Sequence, residues 1–209
     1  EYFEQHLPSE KLADLLGKIY VPVESWYMRR FDRITSSTGD IRRRVNSESI
    51  PVGVDTEFFQ KTDEVFDFED PTIGYSGRMS MEKNGEEICK LAEANSIWKF
   101  VLVGEGPQRE RLEKSAPENV EFRDFLERQE LPKFYSSIDV FVTASTGDTL
   151  GLSTLEANSC GTPVVAADVH PFERTIKEGN GCRFQSGNIQ DFQKKVEKIL
   201  ETDLNTREE

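Results

Sequence analysis

Thr143-Ala144-Ser145-Thr146-Gly147-Asp148-Thr149-Leu150-Gly151-Leu152-Ser153-Thr154-Leu155-Glu156-Ala157 runs from an apolar segment, through a polar loop, into an amphipathic one. Ile138–Thr143 reads as a buried strand and Gly151–Ser159 as a helix, which is one half of a βαβ unit. The unit recurs on both sides. Upstream, Thr72–Ser76 reads as a strand, Asn84–Ala94 as a helix and Trp98–Val103 as a strand. Pro107–Ser115 follows as a helix, with its proline where a missing N–H does no harm. Val120–Phe122 is a short strand and Leu131–Ser136 a short helix. Downstream come strand Pro163–Ala166, helix Pro171–Glu178 and a closing helix over Ile189–Leu200. Strands and helices alternating at this spacing imply an α/β fold, a parallel sheet with helices on both faces. Ligands of such sheets bind outside the carboxyl ends of the strands, which directs attention to the loops at 77–83, 104–107 and 144–151.

Residues 1–60 do not continue the pattern. Ser9–Leu16 and Val23–Arg33 look helical, Ile34–Ser36 looks like a strand and Asp40–Val45 like a short helical turn. These segments hold too little apolar material for a second core. The acidic stretch Thr62–Asp70, with Asp67-Phe68-Glu69 inside it, reads as a solvated linker rather than a metal site.

Composition excludes several classes. The 209 residues are 36% hydrophobic and 31% charged, and their 14 Phe rule out a disordered polyelectrolyte. A formal net charge of −13 argues against nucleic acid as a partner. The charge is uneven: Lys18 to Arg44 carries seven Lys and Arg against three Asp and Glu, and the remainder nineteen against thirty-six. Cys89, Cys160 and Cys182 have neither metal-ligand nor redox-motif spacing, so a reducing, cytoplasmic compartment is expected. Apolar runs such as Phe100-Val101-Leu102-Val103 are far too short to span a bilayer. Glu1-Tyr2-Phe3-Glu4 opens no signal peptide, and the chain reads as a piece of something longer.

The loops carry the chemistry. Gly77-Arg78-Met79-Ser80-Met81-Glu82-Lys83 leaves its strand through a glycine and offers a guanidinium fork and a mobile ammonium, a suitable pair for a diphosphate. Taken alone, the two would also pass for solvated loop cations. Val103-Gly104-Glu105-Gly106-Pro107 lets backbone pass close to a ligand, or simply turns. The N–H groups near Gly151 and Leu152, with the helix dipole, suit a phosphate. Asp148 precedes that helix and Glu156 lies on it, so two carboxylates can reach different parts of one ligand. Cys160-Gly161-Thr162-Pro163-Val164-Val165 is a helix stop running into a buried strand, with Cys160 as a small apolar filler.

In this order, Gly77-Arg78…Glu82-Lys83, Val103-Gly104-Glu105-Gly106-Pro107, Asp148-Thr149-Leu150-Gly151-Leu152…Leu155-Glu156-Ala157 and Cys160-Gly161-Thr162-Pro163-Val164-Val165 resemble the "group 1" family of retaining GT-B glycosyltransferases. Ile50–Phe59 is similar to the segment joining that family's two domains. The resemblance implies that residues 61–209 form the Rossmann-like, nucleotide-sugar-binding C-terminal half of a GT-B fold. Residues 1–60 would then be the remnant of the N-terminal acceptor domain and the interdomain segment. It further implies that Arg78 and Lys83 bind the donor's diphosphate, with Gly77, Gly104 and the backbone of Thr149, Leu150, Gly151 and Leu152 completing the cradle. Glu156 would hold the ribose hydroxyls and Asp148 the hydroxyls of the transferred sugar, while Phe122 and Arg123 would approach the base. The family usually has glutamate where Asp148 stands, phenylalanine where Leu150 stands and often glycine at Asp124.

The implied activity is retaining hexosyl transfer from a nucleotide-diphosphate sugar, with the donor as substrate and neither metal nor cofactor. Partners would be a glycan or lipid acceptor and an N-terminal GT-B domain, in the same protein or in a separate chain. An alternative is a non-catalytic nucleotide-sugar-binding subunit. Trp26-Tyr27-Met28-Arg29-Arg30-Phe31 resembles the sulfolipid and glycolipid synthase branch, whose members face a membrane surface. The same aromatics would equally pack between domains. Peripheral attachment to the cytoplasmic face of a membrane is the corresponding expectation.

Overall fold

Parallel strands buried on both faces read as short continuous apolar runs, and such a run builds the centre of this sheet. The computed structural model describes residues 10–36, 48–50, 52–68 and 71–207. It comprises two compact units, Glu1–Val52 and Gly53–Glu209.

In the first unit, helix α1 spans Glu10–Met28 as one element, where two separate helices were expected. Pro22 lies inside it; the missing N–H removes a single rung, and the helix continues past it. Two-residue strands β1 (Thr35–Ser36) and β2 (Glu48–Ser49) pair in parallel. Leu15, Ile19, Val23, Trp26, Tyr27 and Phe31 are exposed, and the Arg30 guanidinium lies 3.7 Å over the Trp26 ring. The turn expected at Asp40–Val45 and the arginines at 42–44 lie outside the described residues.

The second unit is a six-stranded parallel sheet of β3 (Thr72–Ser76), β4 (Lys99–Val103), β5 (Val120–Arg123), β6 (Val140–Thr143), β7 (Val164–Ala167) and β8 (Gly181–Phe184), in the order β5-β4-β3-β6-β7-β8. The chain winds outward from β3 in one direction, then restarts beside it at β6 and winds the other way. This strand order makes the carboxyl ends of β3 and β6 a topological switch point. Side chains alternate along each strand. Phe100 and Leu102 join a core with Ile88 and Leu91 of helix α2 (Gly85–Ala94), Leu112 of α3 (Arg109–Ser115), and Phe192 and Val196 of α7 (Ile189–Arg207). Val101 and Val103 join a second core with Phe134 and Tyr135 of α4 (Leu131–Ser136), Ala157 of α5 (Leu152–Ser159) and Phe172 of α6 (Phe172–Thr175). Helices therefore cover both faces.

Several boundaries differ from expectation. The Pro107 helix starts at Arg109, because Gln108 donates its N–H to the Met79 carbonyl across the cleft. The Pro171–Glu178 helix is one turn, Phe172–Thr175, followed by extended backbone at Ile176. Strand β8 was not anticipated. Along residues 62–68 the acidic side chains Asp63, Glu64 and Asp67 are exposed, while Thr62 and Phe66 donate their N–H groups to Ser136 Oγ and Ser137 Oγ, and Phe66 and Phe68 pack against the second core.

Candidate donor site at the strand carboxyl ends

Past β3 the chain is laced to the loop past β4. Gly77 N–H donates to the Val103 carbonyl at 3.0 Å, Met79 N–H to Glu105 at 2.8 Å, and Gly104 N–H to Arg123 at 3.1 Å. The loops approach so closely that a Cβ on Gly104, at φ +131°, would sit 2.1 Å from the Gly77 carbonyl oxygen. Only glycine fits there. Arg109 ties the same region from below, donating through Nη1 to the carbonyls of Gly104 and Arg123, both at 2.7 Å. Tyr75 Oη donates to the Arg78 carbonyl at 3.0 Å. The Arg78 backbone is thereby fixed, while its side chain is exposed and forms no ion pair among the described residues.

A 3-10 turn, Met81–Lys83, presents the second cation. The Glu82 carboxyl is held below the usual carboxylate range, chiefly by the Ser80 hydroxyl. The Glu82 carbonyl accepts from Thr146 N–H at 2.9 Å and from Ser145 Oγ at 3.3 Å. The loop past β6 is thus pinned to the Lys83 turn. Lys83 Nζ lies 2.5 Å from Asp148 Oδ1, with the two side chains 23% and 18% exposed.

The same loop enters α5 through Gly151, in the left-handed region at φ 70°, where an added Cβ would meet the Phe172 ring at 2.5 Å. Thr154 closes the turn, donating both N–H and Oγ1–H to the Gly151 carbonyl. The first N–H groups of this turn precede the helix's own ladder and form the positive end of its dipole. One and a half turns on, Glu156 Oε2 accepts from Tyr135 Oη at 2.8 Å. Tyr135 Oη in turn lies 2.8 Å from Ser76 Oγ. Burial pushes the Glu156 carboxyl up from its ordinary value, and the Tyr135 hydrogen bond and the Arg128 charge oppose that rise.

Between these loops lies a cavity of about 300 Å³. Ser76, Gly77 and Arg78 wall one side and Val103, Gly104 and Glu105 another. Phe125, Leu126 and Leu131 form an apolar end, and Tyr135, Ser153 and Glu156 the helix side. Phe125 is 68% exposed, so its ring is available to a ligand. A larger cavity of about 740 Å³ runs along the outer strand β8 and includes none of the residues expected to act.

Of those residues, Gly77, Arg78, Gly104 and Glu156 meet in the 300 Å³ cavity. Lys83 and Asp148 meet each other. Thr149, Leu150, Gly151 and Leu152 form the approach to α5, with Leu152 43% exposed. Phe122 and Arg123 are not brought to the cavity. Phe122 packs against the α2/α7 core, and the Arg123 guanidinium bonds Glu121 and lies 4.7 Å from the Phe68 ring. The family resemblance implied a place near the base for both, but strand alternation and the Glu121 carboxylate turn them elsewhere. Phe125, Tyr135 and Ser76 were missed. Only the amphipathic spacing of Leu131–Ser136 could have pointed to Tyr135. Among the described residues no group of three or more His, Cys, Asp or Glu is placed to hold a metal ion.

Comparison with known proteins identifies the family. Residues 57–209 match the family described as Glycosyl transferases group 1. The chain is 36% identical over 149 residues to the sulfoquinovosyl transferase SQD2 of Arabidopsis thaliana, covering 67% of this chain and 28% of that protein. It is 30% identical over 141 residues to the 2-deoxystreptamine glucosyltransferase of Streptomyces kanamyceticus, covering 63% of this chain and 36% of the relative. The matches thus span well under half the length of these relatives. Among solved structures, sucrose-phosphate synthase from Thermosynechococcus elongatus superposes with a TM-score of 0.79 at 22% identity, covering 95% of this chain and 56% of that one. At that identity the likeness concerns the fold. With matching motifs over most of its length and the parallel sheet they require, the chain belongs to the glycosyl transferases group 1 family.

Proposed function

We propose that the chain binds a nucleoside-diphosphate sugar at the carboxyl ends of β3, β4 and β6 and acts as the donor half of a retaining GT-B glycosyltransferase. The observation carrying this reading is that Arg78 and Glu156, from distant parts of the sequence, line one cavity of about 300 Å³ outside those strand ends. Such a cavity has the size of ordinary small-ligand sites. Glu156 takes the ribose hydroxyls, and Phe125 and Leu126 border the base. The diphosphate lies toward Arg78, Lys83 and the first turn of α5. Asp148, once Lys83 turns to phosphate, takes a hydroxyl of the sugar.

The chemistry follows from where charge develops. As the glycosidic bond breaks, negative charge grows on the leaving diphosphate, and donors aimed at it act more strongly on the transition state than on the ground state. In the retaining course the acceptor attacks from the face the diphosphate leaves. Two side-chain cations and a helix N-terminus do the work a divalent metal would otherwise do, so no metal is required. The acceptor, a glycan or lipid, would be held by an N-terminal GT-B domain, in the same protein or in a separate chain.

We place the protein in the cytoplasm, with peripheral contact on a membrane face through the α1 segment. Trp26, Tyr27 and Phe31 stand exposed there beside Arg29 and Arg30. No helix among the described residues is long and apolar enough to cross a membrane. Saturation-transfer NMR against UDP-, GDP- and ADP-sugars, with and without a chelator, tests the donor reading. Binding of at least one, unaffected by chelation, is the expected result. Silence across the whole panel would discard it.

A further inference from the structure

We infer that Tyr135 is a positioning residue for the donor site: its phenol holds the Glu156 carboxylate in the orientation that accepts ribose hydroxyls. The inference rests on the donor reading above. The phenol belongs to α4, in the covering layer, while Glu156 belongs to α5, so nothing local obliges them to meet. Tyr135 is fully buried, and its one hydroxyl proton goes to Glu156 Oε2 at 2.8 Å. A carboxylate can only accept, and a phenol has one proton to give. Ser76 Oγ, 2.8 Å from the phenol oxygen, must therefore donate to it. The result is a directed chain, Ser76 to Tyr135 to Glu156, starting at the end of the central strand and finishing at the cavity wall.

The chain leaves Glu156 a defined vacancy for bonding. Oε2 is engaged on the buried side, and Oε1 has no partner among the described residues. A ribose needs an acceptor of that kind, held still, and rigid support is what converts a nearby carboxylate into a binding group. The bland reading is that the phenol merely satisfies its own buried hydroxyl. Ser76 alone would do that. The bond to a carboxylate wall residue is the part requiring another explanation.

The groups facing Glu156 are Tyr135 from α4, Arg128 from the turn before it, Cys160 at the C-terminal cap of its own helix and Arg78 across the cavity. Burial raises the carboxyl's pKa and the phenol's hydrogen bond lowers it. Binding needs the carboxylate and is lost as pH falls through that pKa. Removing the phenol's hydroxyl raises the pKa further, so the loss begins at higher pH.

The test titrates UDP, GDP, ADP and inorganic pyrophosphate into the wild type, Tyr135→Phe, Ser76→Ala, Glu156→Gln and the Tyr135→Phe/Glu156→Gln double variant. Tyr135→Phe should weaken the bound nucleoside diphosphate about tenfold, the scale of one hydrogen bond to a charged group. Pyrophosphate affinity should stay unchanged, and the acid limb of the nucleotide pH profile should move upward. Ser76→Ala, which leaves the ring packing intact, should give a smaller change in the same direction. In the Glu156→Gln background the tyrosine substitution should add little. Equal weakening of pyrophosphate, an unmoved pH limb or full additivity would each assign Tyr135 to packing alone and overturn the inference, leaving the donor reading standing. Failure of the wild type to bind any nucleoside diphosphate would overturn both.

Discussion

Lys83 and Asp148 hold each other across the cleft, Nζ to Oδ1 at 2.5 Å. The cation assigned to a phosphate and the carboxylate assigned to a sugar hydroxyl are thus each other's partner. Their side chains are about four-fifths buried, yet solvent reaches both, so the pair is a modest restraint rather than a lock. A diphosphate that takes Lys83 frees Asp148 in the same step. On the proposed donor reading, one ammonium group would couple phosphate engagement to sugar engagement.

Asp148→Asn separates the two. Removing the carboxylate removes Lys83's competing anion, so a nucleoside diphosphate without sugar should bind as well as before or up to about 1 kcal/mol more tightly. The intact nucleotide sugar should lose its advantage over the diphosphate. Paired calorimetric titrations of the two ligands read both effects. A variant that weakens both ligands equally would show that Asp148 organises the loop and does not sort the sugar.

Arg78, Lys83 and Glu156 should divide the donor between them. Arg78→Ala and Lys83→Ala should each weaken diphosphate binding by about 1.5–3 kcal/mol, as expected when a charge-assisted partner is lost. Glu156→Gln should weaken nucleosides and nucleotides alike and spare inorganic pyrophosphate. The check is a three-ligand panel of nucleoside, nucleotide and pyrophosphate. Equal losses for all three variants on pyrophosphate would refute the division.

The sheet was legible because its strands are buried on both faces. Ile73 and Phe100 through Val103 sit in runs that no amphipathic surface strand would carry. β8 escaped because Gly181-Cys182-Arg183 carries little apolar signal before Phe184, whereas the other outer strand, β5, alternates Val120 and Phe122 with charged residues. α1 runs unbroken through Pro22, which sequence pattern alone does not favour. Cleft residues on loops, such as Arg78 and Lys83, showed through their order in the chain. Tyr135 did not, because its role is a tertiary bond to Glu156 that neither helix's own pattern encodes.

The three cysteines should separate by burial. Cys89 and Cys160 are buried, and burial pushes both thiols up to about 11, so little thiolate forms in mildly alkaline buffer. Cys182 is partly exposed on β8. A disulfide reagent should therefore label one thiol in the native chain and three after unfolding. Mapping by peptide digestion should place the native label on Cys182. Fast native labelling of Cys160 would mean that the α5–β7 junction opens readily and that its filler role is wrong.

Holding two reactants in register supplies a large part of transfer catalysis, about 7–11 kcal/mol in well-oriented cases. On the donor reading the 300 Å³ cavity takes the nucleotide sugar, and a further domain holds the acceptor. Water would also reach an anomeric carbon bound in so open a cleft. The chain alone should therefore bind donor yet give no acceptor-dependent product, with slow donor hydrolysis as the ceiling. Radiolabelled donor, incubated first with mixed lipid and glycan acceptors and then with an added N-terminal GT-B half, distinguishes the cases. Transfer that appears only with the added half supports a donor-binding half of a transferase. Hydrolysis without transfer in both arms favours a nucleotide-sugar-binding subunit that serves another chain. Robust transfer by the chain alone would show that the acceptor site lies within these 209 residues, and the half-enzyme reading would be abandoned.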